Sequence, residues 1–238
     1  LPVQQEIVTI LDTFTELEAE LEAELEARKK QYEYYRNELL TFGDEVEWKT
    51  LGDICDIYDG THQTPKYTNS GVPFVSVQNI NNIYGTEKYI SLDDFNKYKY
   101  KPRKDDLFMT RIGDIGTCAL VENDDPLAYY VTLTLIRMKH RVILPRFLKH
   151  IIESNIGKSE LYKRTLVNAV PIKINLGDIG KITIPIPPLA EQERIAGILD
   201  KFDALVNDIS IGLPAEIEAR RKQYEYYREK LLSFDRAE

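Results

Sequence analysis

Two stretches of the chain, one near each end, carry apolar residues at the spacing that is typical of long amphipathic helices. In the first stretch the apolar positions recur at alternating steps of four and three residues, which is the stripe by which one helix packs on another. One extra step of four, from Leu21 to Leu25, lies inside a repeated Leu-Glu-Ala-Glu tetrapeptide. The pattern predicts a helix over residues 1–43, about 60 Å long at 1.5 Å per residue and ending near Gly43. Its stripe includes Ile7, Ile10, Phe14, Leu17, Leu21, Leu25, Tyr32, Tyr35 and Leu39.

The second stretch, residues 189–238, repeats this stripe after the pair Pro187 and Pro188. Pro214 follows Gly212 within it, and because proline lacks a backbone N–H, the sequence predicts a kink or a break in the helix there. The stripe of this second helix includes Ile195, Ile198, Phe202, Leu205, Ile209, Ile217, Tyr224, Tyr227, Leu231 and Phe234.

The two stretches are near-copies of one another. Residues 26–42 and 218–234 are identical at 13 of 17 positions, and four extra residues stand in the second copy around 211–214. A lone helix with one apolar stripe cannot bury that stripe by itself, so the equivalent stripes favour pairing of the two helices as an antiparallel coiled coil. The alternative is that each helix packs on a globular body of its own.

The middle of the chain, residues 44–188, has a different pattern. Runs of β-branched and aromatic residues, separated by glycine-containing turns, predict strands, and three capped or amphipathic stretches predict short helices. The predicted strands are 46–49, 55–58, 72–77, 83–90, 107–110, 117–121, 129–138 and 181–186, and the predicted short helices are 91–98, 145–154 and 158–166. The predicted fold class is therefore α+β: a mixed α/β domain with irregular loops, flanked by two long helices that pair as an antiparallel coiled coil.

The net charge of −8 does not exclude a nucleic-acid partner, because the acidic residues are unevenly distributed. Residues 1–43 carry a net charge of −6 and residues 187–238 one of −3, whereas residues 44–186 are close to neutral at +1. Binding follows the local field and not the total charge, so the middle domain is compatible with a DNA partner.

The sequence indicates no catalytic chemistry of its own. It lacks a phosphate-binding loop, a dinucleotide-binding glycine turn and a Gly-x-Ser-x-Gly nucleophile motif. Two cysteines without metal-ligand spacing and three scattered histidines predict neither a metal site nor a catalytic residue. No apolar run has the length of a membrane helix, and no signal-peptide pattern is present, which together with the free cysteines predicts a cytoplasmic protein without a membrane partner.

The middle domain does carry side chains suited to DNA. A basic run over 97–104 alternates with tyrosines, and lysine and arginine neutralise phosphates, although a solvated helix end would give the same pattern. The loops are rich in residues that hydrogen-bond a base at two points, although Asn and Thr also favour turns. The candidate DNA-binding residues are Thr61, His62, Gln63, Lys66, Gln78, Asn79, Asn81, Lys99, Lys101, Arg103, Lys104, Arg111, Asn168 and Lys173.

The chain resembles the specificity (S) subunits of type I restriction–modification systems. The resemblance is carried by the segment Ile-Pro-Ile-Pro-Pro-Leu-Ala-Glu-Gln-Glu-Arg-Ile at 184–195, by the Leu-Glu-Ala-Glu repeats, and by the two Glu-Ala-Arg-(Lys/Arg)-Lys-Gln-Tyr-Glu-Tyr-Tyr-Arg helices. Weaker forms of that family's recognition-domain motifs stand at 60–65, 71–74 and 111–116. Because one recognition domain lies between two helices, the resemblance implies a half subunit, with a helix over 1–43, a target-recognition domain over 44–188 and a helix over 189–238.

The resemblance implies a non-catalytic subunit that reads one half of a bipartite site in double-stranded DNA. Its helices are expected to set the half-site spacing and to dock modification (methyltransferase) subunits, with restriction subunits as further partners. The chain is expected to bind no cofactor itself, S-adenosylmethionine and ATP with Mg²⁺ belonging to the partner subunits, and to form a homodimer. Two alternatives are a structural coiled-coil adaptor with a protein-binding middle domain and a degenerate methyltransferase that binds S-adenosylmethionine.

Overall fold

The computed structural model describes residues 2–43, 45–139 and 141–233. They fall into two compact units, a helical unit within 1–35 and 197–238 and a central unit within 36–196. The predicted stripe residue Phe234 lies outside the described residues. The domain boundaries predicted at 43/44 and 188/189 remain a prediction.

The described residues form an α+β structure, as predicted. The helices are α1 (Pro2–Leu39), α2 (Leu51–Ile54), α3 (Leu92–Asn96), α4 (Pro145–Glu153), α5 (Asn155–Tyr162), α6 (Leu176–Ile179), α7 (Leu189–Asn207) and α8 (Leu213–Leu232). The strands are β1 (Glu47–Thr50), β2 (Cys55–Asp59), β3 (Tyr67–Thr68), β4 (Val72–Val75), β5 (Tyr89–Ile90), β6 (Leu107–Ile112), β7 (Asp114–Leu120), β8 (Ala128–Tyr129), β9 (Leu133–Met138) and β10 (Thr183–Ile186).

In the helical unit, α1 runs antiparallel to the helices of the second copy, and equivalent residues make equivalent contacts. Phe14 stacks on Tyr227 with 5.5 Å between ring centroids, and Phe202, the counterpart of Phe14, stacks on Tyr35, the counterpart of Tyr227, also at 5.5 Å. From Phe14 to Tyr35 along α1, the residue numbers of the contacted rings decrease from Tyr227 to Phe202. The two near-copies are therefore related by a local pseudo-two-fold axis.

The second copy is broken where its four extra residues lie. The Asp208 carboxylate accepts hydrogen bonds from the backbone N–H groups of Ser210 and Ile211, which closes a turn directly after α7. Helix α8 then starts after Gly212 with Pro214 in its first turn, where its missing N–H costs nothing. The break predicted at Pro214 is confirmed.

Ile209 is a correction to the predicted stripe. Its side chain is 70% exposed, because α7 ends at Asn207 and Ile209 belongs to the turn that follows. Val206 is the buried apolar residue at this end of α7, at 2% exposure. The alternating four- and three-residue spacing of apolar positions continues through Ile209 in the sequence. Spacing alone does not show that the helix has already ended.

The central unit contains three small open sheets. One is antiparallel with strand order β2-β9-β6-β7, the second has the order β3-β5-β4-β8 with β4 and β8 parallel, and the third pairs β1 with β10. A shared apolar core, which includes Phe108, Tyr129, Leu133 and Leu135, draws on strands of the two four-stranded sheets. Burying these side chains from both sheets removes them from water and holds the two sheets in one body.

Two predicted strands are shorter than the sequence pattern indicated. The apolar run over 129–138 is two strands, since β8 pairs with β4 while β9 pairs with β2 and β6, and a turn over 130–132 carries the chain from one sheet to the other. The run over 83–90 pairs only at Tyr89–Ile90, because a turn closes from Gly85 N–H to the Asn82 carbonyl and the Thr86 hydroxyl donates to the Phe74 carbonyl instead.

The pseudo-two-fold symmetry predicts matched effects of matched substitutions. Phe14→Ala and Phe202→Ala are each expected to lower the free energy of unfolding by about 2 kcal/mol, because each removes the same stacked contacts of a half-buried ring. Urea unfolding followed by circular dichroism measures the two values. Ile209→Ala is the control and should stay within about 0.5 kcal/mol of the parent chain, since its side chain is exposed. A large loss from one Phe variant with none from the other would contradict the symmetry.

Candidate nucleic-acid interface

Several strands of the central unit end at one edge. In the antiparallel sheet, Asp59 at the end of β2 lies opposite Thr134, and Thr110 near the end of β6 lies opposite Leu133, the first residue of β9. In the other sheet, β4 and β8 run parallel and end together at Val75, which pairs with Tyr129. The loops that leave β2, β4 and β6 therefore start from the same side of the unit.

The turn over 130–132 connects these loops directly. The Thr132 hydroxyl accepts a hydrogen bond from Val77 N–H at 3.0 Å, and the Thr132 carbonyl accepts one from Arg111 N–H at 3.0 Å. Val131 N–H donates to the Thr61 carbonyl, also at 3.0 Å. Residues 60–66, residues 76–82 and the end of β6 are thus fastened to one short turn. We call this surface, together with residues 165–174 described below, the loop edge.

Arg111 lies inside the loop edge and is bound within the protein. Its Nε and Nη2 donate to the Asp59 carboxylate at 2.9–3.2 Å, and its Nη1 donates to the Ile174 carbonyl at 3.0 Å. The Arg111 side chain is only 8% exposed and that of Asp59 is 21% exposed. A bidentate guanidinium–carboxylate pair of this kind is strong, and removing one partner leaves a buried charge, at a cost of about 3–5 kcal/mol. Arg111 was predicted to contact DNA, and the structure instead gives its guanidinium internal partners.

Backbone hydrogen bonds from the end of β6 also attach residues 165–174 to this edge. Ile174 N–H donates to the Arg111 carbonyl at 3.0 Å, and Gly113 N–H donates to the Ile172 carbonyl at 2.9 Å. Gly113 turns the chain between β6 and β7 with a φ of 84°, a conformation that glycine adopts without strain. Predicted residues Asn168 and Lys173 are exposed in this loop.

A cleft of about 510 Å³ separates residues 60–66 from the segment 94–100. The predicted residues Thr61, Gln63, Lys66 and Lys99 line it, which brings together two sets that are more than thirty residues apart in sequence. His62 lies beside the cleft, with its Nε2 at 2.8 Å from the Asp59 carboxylate.

Tyr98 gives the cleft an unusual polar atom. Its hydroxyl is buried beside the Thr61 side chain. Burial raises the pKa of Tyr98 to about 12, and the neighbouring Thr61 side chain opposes that rise.

The lysines along this segment differ in what surrounds them. The Lys97 ammonium is 2.6 Å from the Asp94 carboxylate, and this hydrogen bond raises the pKa of Lys97 and lowers that of Asp94. The Lys99 ammonium lies 5.0 Å from the ring of Tyr100, which stacks on Tyr58 with 3.9 Å between centroids. The Lys99 ammonium therefore packs against an aromatic ring, whereas the charge of Lys97 is neutralised by the Asp94 carboxylate.

The structure does not bring the rest of the basic run to the loop edge. Arg103 and Lys104 precede the start of β6, and about 14 Å of strand, at 3.4 Å per residue, separates that start from Arg111. Lys104 N–H donates to the Asp124 carboxylate. Lys101 packs its ammonium at 4.6 Å from the Phe95 ring and 3.2 Å from the Asn96 side-chain oxygen. The run that looked uniform in sequence is therefore divided between two sites.

The remaining predicted residues follow β4. Gln78 and Asn81 are exposed, and the Gln78 side-chain oxygen lies 3.5 Å from the Lys88 ammonium. Asn79 closes a 3₁₀ turn, because its side-chain oxygen accepts from Ser76 N–H at 3.2 Å. Asn79 thus shapes the loop, while Gln78 and Asn81 present their amides to solvent.

Sequence reasoning missed two features of this edge and one ion-pair cluster on α5. Asp59 is not among the residues that the sequence predicts for the site, and its partner Arg111 is 52 residues away. The loop 165–174 exposes apolar side chains, including Val167 at 51% and Val170 at 100%. Glu160 bridges Lys163 and Arg164 at 2.7 and 2.8 Å. Burial opposes its ionisation, but these cations and Thr183 N–H outweigh burial and lower the pKa of Glu160.

Other kinds of site find no support in the described residues. Within 2–43, 45–139 and 141–233 no group of three or more His, Cys, Asp or Glu is placed to hold a metal ion. Cys55 and Cys118 are buried free thiols, and burial raises the pKa of Cys55 to about 12. No helix of the described chain has the length and apolarity that crossing a membrane requires.

Known proteins resemble this chain over most of its length. Residues 43–219 match the family described as the type I restriction modification DNA specificity domain. The specificity subunit of the type I restriction enzyme EcoR124I/EcoR124II from Escherichia coli is 38% identical over 100% of this chain, which spans 61% of that subunit. The putative type I specificity subunit S.MpnORF201P from Mycoplasma pneumoniae is 31% identical over 98% of this chain and 93% of its own length.

A solved structure supports the fold independently. The crystal structure of the type I restriction-modification S subunit from M. genitalium matches with a TM-score of 0.67 at 15% identity, covering 99% of this chain and 62% of that one. This likeness confirms the α+β fold with its flanking helices. The relatives are named specificity subunits, which agrees with the expectation of a specificity component and not a catalytic subunit. The family match covers more than half of the chain, and this protein therefore belongs to the type I restriction–modification DNA specificity domain family.

Proposed function

We propose that the loop edge of the central unit reads one half of a bipartite site in double-stranded DNA. The observation that carries this proposal is the gathering of residues 60–66, 76–82 and 165–174 on one side of the unit, with amide and lysine side chains exposed on them. The name of the matched family and the names of the relatives support DNA as the ligand.

Each kind of exposed side chain has a role in such a reading. Amides such as those of Gln63, Gln78 and Asn168 can hydrogen-bond a base edge at two points, which discriminates bases. Lysines such as Lys66 and Lys99 neutralise phosphates without regard to sequence and fix the register of the protein on the duplex. The exposed apolar tip of the loop 165–174 suits contact with thymine methyl groups.

The helical unit is proposed to set the half-site spacing and to dock modification subunits, with restriction subunits as further partners of the complex. Apolar side chains remain exposed along its helices, among them Val3 at 63%, Val8 at 54% and Tyr226 at 52%. Exposed apolar residues that recur along one helical unit favour a protein partner. We propose that the chain binds no cofactor, and that S-adenosylmethionine and ATP with Mg²⁺ belong to the partner subunits.

We further propose that two copies of the chain form a homodimer. The M. pneumoniae relative is about as long as this chain, which spans 93% of it, whereas the chain spans 61% of the E. coli relative. Subunits of the shorter length therefore occur in the family. Two copies related by a two-fold axis would supply two equivalent loop edges and would read an inverted repeat.

The cleft lysines provide the first test. Lys66→Ala and Lys99→Ala are each expected to weaken binding to all duplex sequences alike and to reduce the slope of log K against log salt by about 1, because each removes one phosphate contact. Fluorescence anisotropy over a salt series measures this slope. Lys104→Ala is the matched control, since Lys104 lies near the start of β6, and it should leave the slope unchanged. Equal slopes for all three variants and the parent would count against DNA binding at the loop edge.

The tetrapeptide repeat in α1 tests the role of the helices. Deleting Leu21–Glu24 removes about 6 Å of helix at 1.5 Å per residue, and one base-pair step is about 3.4 Å. The preferred spacing between half-sites is expected to change by one or two base pairs while the bases within each half-site stay the same. Mapping of methylated adenines after co-expression with the modification subunit shows both quantities. Altered half-site bases would contradict the division of labour between the two units.

Sedimentation of the purified chain tests the homodimer. A dimer at micromolar concentration is expected, with an inverted repeat as its DNA site. A monomeric parent chain at this concentration, or an asymmetric site, would oppose the homodimer.

A further inference from the structure

Asp59 and Arg111 join two loops that the chain order keeps far apart. Asp59 immediately precedes the loop 60–66, and Arg111 holds the loop 165–174 through its Nη1 on the Ile174 carbonyl and its own carbonyl on Ile174 N–H. The bidentate ion pair between them closes this connection. A displacement at either residue is therefore transmitted to both loops.

The geometry of the pair leaves little of Arg111 for DNA. Three nitrogens of its guanidinium donate to Asp59 or Ile174, and the side chain is 8% exposed. An arginine that reads guanine needs two parallel N–H groups directed outward. Here the Nε and Nη2 groups that form such a fork are directed at the Asp59 carboxylate.

We propose that Asp59 and Arg111 are positioning residues, which set the relative placement of the loops 60–66 and 165–174 and thereby determine the bases that both loops read. This inference rests on the proposed function of the loop edge. The pair contacts no base or phosphate itself. Its effect on specificity arises because hydrogen bonds to base edges depend steeply on distance and angle.

A second ion pair, between β9 of the same sheet and the residue that precedes β6, offers a matched control. Arg137 in β9 donates from Nε and Nη2 to the Asp106 carboxylate at 2.8 and 2.6 Å, and its Nη2 also donates to the Lys101 carbonyl. The pair has the same bidentate design and is similarly buried, but its hydrogen bonds reach the start of β6 and the Lys101 carbonyl and not the loops 60–66 and 165–174. Breaking it tests what loss of a buried ion pair does to the central unit in general.

The experiment selects preferred half-sites for the purified full-length chain from a randomised duplex library and then measures affinity for every single-base variant. Arg111→Lys keeps the positive charge beside Asp59 but cannot reproduce the fork. It is expected to reduce discrimination about tenfold at more than one base pair while affinity for unrelated duplex DNA stays constant. Asp59→Asn, which leaves Arg111 intact, should reproduce the same pattern, and hydrogen exchange at Ile174 and Gly113 should accelerate in both variants.

The outcomes separate this inference from its alternatives. Loss of preference at a single base pair in Arg111→Lys, without loss in Asp59→Asn, would identify Arg111 as a base reader and overturn the proposal. An equal change of preference in the control Arg137→Lys would assign the effect to general loosening and also overturn it. Unchanged discrimination in both Arg111→Lys and Asp59→Asn overturns it while leaving DNA reading intact. A parent chain that selects no sequence from the library overturns the proposed function together with this inference.

Discussion

The ion pair between Asp59 and Arg111 is the contact on which the arrangement of the loop edge depends. Antiparallel pairing of β2, β6 and β9 brings the two residues to the same end of one sheet, and burial makes their attraction stronger than it would be in water. The turn over 130–132 then adds the loop after β4 through Thr132. Loops that carry few buried apolar residues of their own are in this way held by a sheet, which is how rigid scaffolds commonly present binding residues.

The helical unit shows how a sequence repeat becomes structural symmetry. Besides the stacked rings, Arg28 donates from Nε to Glu24 and Arg220 does so to Glu216, so the copies reproduce each other's surface contacts as well. Surface pairs of this kind contribute only a few tenths of a kcal/mol each. The symmetry is therefore set by the aromatic contacts. The four extra residues of the second copy do not disturb them, because they are taken up in the turn after α7 and not in helix.

The sequence predicted the kinds of element well, because helix stripes and buried strands leave periodic apolar patterns. It predicted the break at Pro214 because the chemistry of proline is local. It could not show that the run 129–138 passes between two sheets, since both parts are buried and look alike. It also could not show the partner of Arg111, because no pattern in a single sequence links residues 52 positions apart. The sequence identified candidate residues only by their chemical type. The fold was needed to show that Lys99 lines the cleft, whereas Lys104 lies near the start of β6.

The charge distribution shows how an acidic chain is compatible with the DNA contact proposed for the loop edge. Exposed charges act over a Debye length of about 8 Å at physiological salt, so the total of −8 does not determine the field at the loop edge. Within the central unit, the carboxylates of Asp59, Asp106 and Glu160 are bound by arginine and lysine partners inside the structure. Lys66 and Lys99, in contrast, are exposed beside the cleft. Among the charged residues that line the cleft, Lys66, Lys97 and Lys99 exceed Asp59 and Asp94 by one positive charge, in a unit that is nearly neutral overall.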